Sequence, residues 1–91
     1  MTQYAKDPIA SMDYSFDWSS WLSSGETITE TSWSVVPAAN LVLGTEISSA
    51  AVRGVFVSGG EVGERYRLTC RVETDAGRIA EQSATLRIME T

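Results

Sequence analysis

The feature that most constrains this chain is a strict two-residue alternation in Met12-Asp-Tyr-Ser-Phe-Asp-Trp18. Only an extended strand places Met12, Tyr14, Phe16 and Trp18 on one face and Asp13, Ser15 and Asp17 on the other. Four of the eight aromatic residues in the 91-residue chain (Tyr14, Phe16, Trp18 and Trp21) fall within this short stretch. Burial of large side chains must therefore be organised around it.

A second alternation is clearer still. Tyr66, Leu68, Cys70 and Val72 interleave with Arg65, Arg67, Thr69, Arg71 and Glu73. This fixes an inward apolar face and an outward polar one. Thr74-Asp-Ala-Gly-Arg78 then supplies a tight connection, with Gly77 available for a positive φ, and residues 79–89 return as a partner strand with Leu86 and Ile88 inward.

Between these segments, residues 26–36 read as a strand. Thr27, Thr29, Thr31, Trp33 and Val35 share one parity while Ile28 opposes them. A bulge or change of face is expected between Ile28 and Trp33, with Trp33 inward. Pro37-Ala-Ala-Asn40 breaks the run, Leu41-Val-Leu43 gives a short strand ended by Gly44, and residues 46–51 read as either strand or loop. Residues 52–57 form a further strand, closed by the glycine-rich loop 58–63. Ser19-Ser20 and Ser23-Ser24-Gly25 bracket Trp21-Leu22, which places that pair on a turn folding back over the sandwich edge.

Six to seven short strands at turn spacings of about 8 to 12 residues, with no helix longer than one turn, predict an all-β antiparallel sandwich. Tyr66, just after a glycine-rich corner, stands where immunoglobulin-like sandwiches carry a tyrosine corner. The organisation expected is an extended N-terminal arm over residues 1–10 followed by one immunoglobulin-like β-sandwich domain over 11–91. The expected core is Tyr14, Phe16, Trp18, Trp33, Tyr66, Leu68, Cys70, Val72, Leu86 and Ile88. Tyr4 and Ile9 give the arm something to dock, so they join Trp21 and Leu22 as candidate interface residues, and Lys6 is expected in a mobile segment.

A net charge of −5 would repel a phosphate backbone and argues against nucleic acid as a partner. The one cysteine, Cys70, cannot form an intramolecular disulfide and reads as a small buried apolar residue. No membrane-length apolar run and no leader pattern occur, so synthesis in a cytoplasm is expected.

The sequence contains no histidine, which removes Ser-His-Asp and Cys-His nucleophile pairs and histidine metal sites from a single subunit. Asp13 and Asp17 lie about 13 Å apart on a strand, beyond the roughly 5 to 9.5 Å of a glycosidase pair. Asp13-x-Ser15-x-Asp17 opens like a calcium loop. However, Trp18 stands where that loop needs Gly, and Ser24 stands where it needs a bidentate Glu. No catalytic, cofactor-binding or metal-binding residue is assigned, and an enzyme built on Asp13, Asp17, Glu26 or Glu30 is disfavoured. The outward Arg65, Arg67 and Arg71 form a basic strip, either neutralised by partners such as Glu81 or facing an acidic partner.

Lys6-Asp-Pro8, Asp13-Tyr-Ser-Phe-Asp-Trp-Ser-Ser-Trp-Leu22, Gly25-Glu-Thr-Ile28 and Ser32-Trp-Ser-Val35 resemble a family of small tailed-bacteriophage structural proteins, the fiber-tail adaptor or neck proteins. The likeness continues through Val57-Ser-Gly-Gly60, Gly63, Tyr66, Arg71-Val72 and Thr74-Asp-Ala-Gly-Arg78. The resemblance implies an immunoglobulin-like sandwich that assembles into the virion, without catalytic activity; the expected partners are other phage virion proteins, a homo-oligomer is a further candidate, and no cofactor is expected. The alternative is an immunoglobulin-like module that binds a host-surface glycan or protein.

Overall fold

The computed structural model describes residues 2–6, 11–37 and 40–89. Seven strands follow one another: β1 (Thr2–Lys6), β2 (Ser11–Asp17), β3 (Ile28–Val36), β4 (Leu41–Ser49), β5 (Val52–Gly59), β6 (Arg65–Thr74) and β7 (Ile79–Ile88). They form a four-stranded sheet in the order β1-β7-β6-β3 and a three-stranded sheet in the order β2-β5-β4. No helix occurs among the described residues. The fold is an all-β sandwich, as the turn spacing predicts.

Every pairing is antiparallel except β1 on β7. That exception comes from the segment expected as an arm. Its first residues pair in register from Thr2 opposite Ala84 to Lys6 opposite Ile88, satisfying backbone groups along the edge of β7. Ile9 lies outside the described residues.

The β6 alternation is carried into space without a slip: Tyr66, Leu68, Cys70 and Val72 are buried while Arg65, Arg67 and Arg71 are exposed. β6 pairs with β7 from Arg65 opposite Arg87 to Glu73 opposite Ile79, which brings Ala84, Leu86 and Ile88 to the same inner face. Burying a Leu or Ile side chain contributes about 1.5 to 3 kcal/mol, so this hairpin is the main apolar wall. The expected irregularity in β3 is a register shift between Ile28 and Glu30. β4 is longer than Leu41–Leu43 because a second shift, between Leu43 and Glu46, lets the strand continue past Gly44.

Two clusters fill the space between the sheets. Tyr14, Leu41, Val55, Val57, Tyr66, Leu68, Leu86 and Ile88 make one; Phe16, Trp18, Cys70, Val72 and Ala84 make the other. Trp33 packs against both and stacks on Phe16, with ring centroids 6.0 Å apart. It stays half-buried because β3 is an edge strand. Met12 departs from expectation. It shares the inward parity of Tyr14 yet is 47% exposed, because it sits near the start of edge strand β2, where the facing sheet leaves it uncovered.

The Tyr66 hydroxyl accepts a hydrogen bond from the Glu61 backbone N–H at 3.1 Å, closing the corner that precedes β6. Lys6 corrects the reading of a mobile lysine. It is 2% exposed, and its ammonium donates to the Gly59 carbonyl at 2.7 Å, tying β1 of one sheet to the end of β5 in the other.

Candidate interaction surface

Trp21 and Leu22 lie at one end of the sandwich. The chain leaves β2 with the Trp18 N–H donating to the Ala51 carbonyl at 3.0 Å. The Trp18 carbonyl then accepts from the Trp21 and Leu22 N–H groups at 3.0 and 3.1 Å. This tight turn lays both side chains, half-buried, against the second cluster. Trp21 meets Trp18 edge-on with ring centroids 5.4 Å apart.

Arg78 holds that turn down. Its guanidinium carbon stands 4.3 Å above the Trp21 ring, and Nη2 donates to the Trp21 carbonyl at 3.0 Å. Nε donates to Glu26 Oε2 at 2.9 Å, and Nη2 completes a bidentate ion pair with Oε1. The same carboxylate accepts from the Thr74 hydroxyl at 2.6 Å and the Ser23 N–H at 2.9 Å. The Arg78 and Thr74 hydrogen bonds, with the Ser23 amide, hold the Glu26 carboxyl at about 2, far below its ordinary value. The Asp75 carboxylate accepts two bonds from Thr27, one from the Thr27 N–H and one from the Thr27 hydroxyl, both at 3.1 Å. The groove between residues 23–26 and 75–78 is therefore lined by Glu26 and Arg78 charges already committed to each other.

The remaining candidates separate by environment. Tyr4 belongs to the wall: half-buried on β1, its ring lies 5.0 Å from that of Tyr14 and packs against both clusters. Asp13, Ser15 and Asp17 stay exposed on the outer side of β2, and Asp17 is used locally, accepting the Ser19 N–H at 2.9 Å. That bond lowers its carboxyl pKa. Cys70 is fully buried, and desolvation pushes its thiol up to about 11, which keeps it protonated and unreactive at neutral pH.

Two charged ends mark the outer face of the β1-β7-β6-β3 sheet. At one end Arg65 and Arg87 stand directly opposite one another with Arg67 two residues on; at the other Glu30 stands opposite Glu73, and Arg71 opposite Glu81. All of these side chains are exposed except the half-buried Glu73. Glu73 raises the Glu30 pKa, through a shared hydrogen bond first and charge repulsion second. On the outer side of the other sheet, Phe56 is 38% exposed and Val42 60%.

The sequence carries little local sign of the Glu26–Arg78 or Lys6–Gly59 links, since their partners are 52 and 53 residues apart. Comparison with known proteins gives a family. A family model described as podophage GP4 fiber-tail adaptor protein gp77 matches residues 6–87. The chain belongs to that fiber-tail adaptor family. The match runs from the last residue of β1 to the penultimate residue of β7, so it spans both sheets and both charged ends of the outer face. No curated protein matches the adaptor chain.

Proposed function

We propose that this adaptor-family chain is a non-enzymatic structural protein of the phage virion, joining tail or neck components to fibers through protein-protein contacts. The family match over residues 6–87 carries the reading. The state of the reactive groups supports a role without catalysis. There is no histidine, Glu26 is held by Arg78, Cys70 is buried, and Lys6 is packed across the sandwich. The immunoglobulin-like reading is supported by strand order. β3, β6 and β7 stand as strands C, F and G of that fold, and β2, β5 and β4 as B, E and D, with the Tyr66–Glu61 bond at the corner before the F-like strand.

Glycan recognition would call for several exposed rings forming a stacking platform. Phe56 is the one exposed aromatic ring, the others being buried or half-buried. The virion reading is tested by mass spectrometry of purified particles and by electron microscopy of particles made without this gene. The expected outcome is that the chain is found in particles and that its loss yields tails without fibers. Complete, fibered particles lacking the chain would refute it.

A further inference from the structure

The outer face of the four-stranded sheet carries two like-charge pairs in direct cross-strand register, Arg65 with Arg87 and Glu30 with Glu73. Like charges directly opposite each other destabilise a sheet. The two pairs lie at opposite ends of one face. From Arg65 to Glu73 the span is eight residues, or about 26 Å at a rise near 3.3 Å. Among the described residues no carboxylate forms an ion pair with Arg65, Arg67 or Arg87.

The centre of the face is built of small hydroxyl side chains. Thr69 and Ser83 share a hydrogen bond of 2.9 Å, and Ser34 sits opposite Thr69 on β3. Exposed Arg67 and Arg71 flank this centre on β6. Two exposed apolar residues flank the charges, Val36 (67% exposed) opposite Arg67 and Ile79 (53%) opposite Glu73. At the acidic end, Glu30, Thr31, Ser32, Arg71 and Glu73 line a depression of about 380 Å³.

We infer that this face docks a second copy of the chain, face to face about a two-fold axis, with Arg65 and Arg87 of each copy against Glu30, Glu73 and Glu81 of the other. Symmetry selects the arrangement. A two-fold axis lying along the strands stacks like ends on like ends, whereas one lying across them stacks each basic end on an acidic end. Only the second is electrostatically complementary, and it runs the facing strands antiparallel. Arg71 lies at the acidic end opposite Glu81, leaving that end with three carboxylates against one guanidinium. A guanidinium arriving in the depression would also separate the charges of Glu30 and Glu73.

β3, β6 and β7 run about 30 Å and β1 about 16 Å, and at a spacing near 4.8 Å they present roughly 500 Å² per copy, so about 1,000 Å² in total, the size of a weak, transient interface. An interface so polar should be salt-sensitive. The inference deepens the virion reading by naming one partner, but it is tested separately, in solution.

The test is the mass of the full-length chain by sedimentation equilibrium, up to about 1 mM, the range in which a weak interface is populated. The expected result is a shift from 9.9 kDa towards twice that mass, weakening at least tenfold between low and high salt. The doubly substituted R65E/R87E and E30R/E73R variants should each be monomeric, and an equimolar mixture should restore the doubled mass, because one then presents two acidic ends and the other two basic ends. These side chains lie on the outer face, and circular dichroism verifies that both variants fold. A wild-type chain that stays monomeric throughout, variants that still dimerise, or a mixture that fails to associate would each overturn the inference. The presence of the chain in purified particles would be untouched by any of these results.

Discussion

Two tyrosines buried in the same cluster allow one atom to be removed in opposite circumstances. Tyr66 is 1% exposed and its hydroxyl accepts the Glu61 N–H at 3.1 Å; Tyr14 is 7% exposed and its hydroxyl has no hydrogen-bond partner among the described residues. Tyr66→Phe therefore deletes a working bond, at a cost of about 0.5 to 1.5 kcal/mol. In Tyr14→Phe the deleted hydroxyl is already unsatisfied. Leaving a buried hydroxyl unpaired costs about 1 to 3 kcal/mol, so its removal should be neutral or stabilising. For a domain of this size, 1 kcal/mol corresponds to roughly 4 to 8 °C in melting temperature, which places the two variants on opposite sides of the wild type or nearly so. Urea titration followed by tryptophan fluorescence gives both values, with an unchanged slope showing that the unfolded reference is unaltered. If Tyr14→Phe loses as much stability as Tyr66→Phe, the assignment of the satisfied and orphaned hydroxyls is refuted.

Trp18→Ala should cost about 3 to 5 kcal/mol, because its ring is 2% exposed within the second cluster; a variant of wild-type stability that fails only in particle assembly would instead make Trp18 an interface anchor. The Glu26 carboxyl, held at about 2, contributes stability that is fully present above its unfolded value near 4.3 and is lost as pH falls through about 2. Glu26→Gln should therefore be less stable than wild type at pH 6, with the gap closing between about pH 4.5 and 2; a gap independent of pH would rule out the ionised pair as its source. Cys70 should react with a thiol reagent only on unfolding, since burial raises its pKa to about 11. Prompt labelling of the native protein would contradict that burial.

What could be read in the sequence was whatever the local chain dictates. The alternation of β6 forces its own faces, because a pleated strand sends successive side chains to opposite sides whatever it pairs with. That made the burial of Tyr66, Leu68, Cys70 and Val72 legible, along with the turn at Gly77, whose φ is +78°. The irregularity in β3 was legible for the same reason: a change of parity along a strand is a local signal.

What tertiary structure decided was everything that depends on partners distant in the chain. Thr2–Lys6 has no alternation to read, and it becomes a strand only because β7 offers a free parallel edge more than 80 residues away. Lys6 is charged and would ordinarily be exposed, but it is buried because the Gly59 carbonyl is there to receive its ammonium. Met12 has the inward parity and is still exposed, since parity sets direction while coverage depends on the opposing sheet. Glu26, Arg78 and Trp21 look like ordinary loop residues in sequence and become one locked end of the sandwich in space. The like-charge pairs of the outer face exist only in register, which is set by β3, β6 and β7 folding together. Sequence period assigns a side chain to a face; only the assembled sheets decide what that face meets.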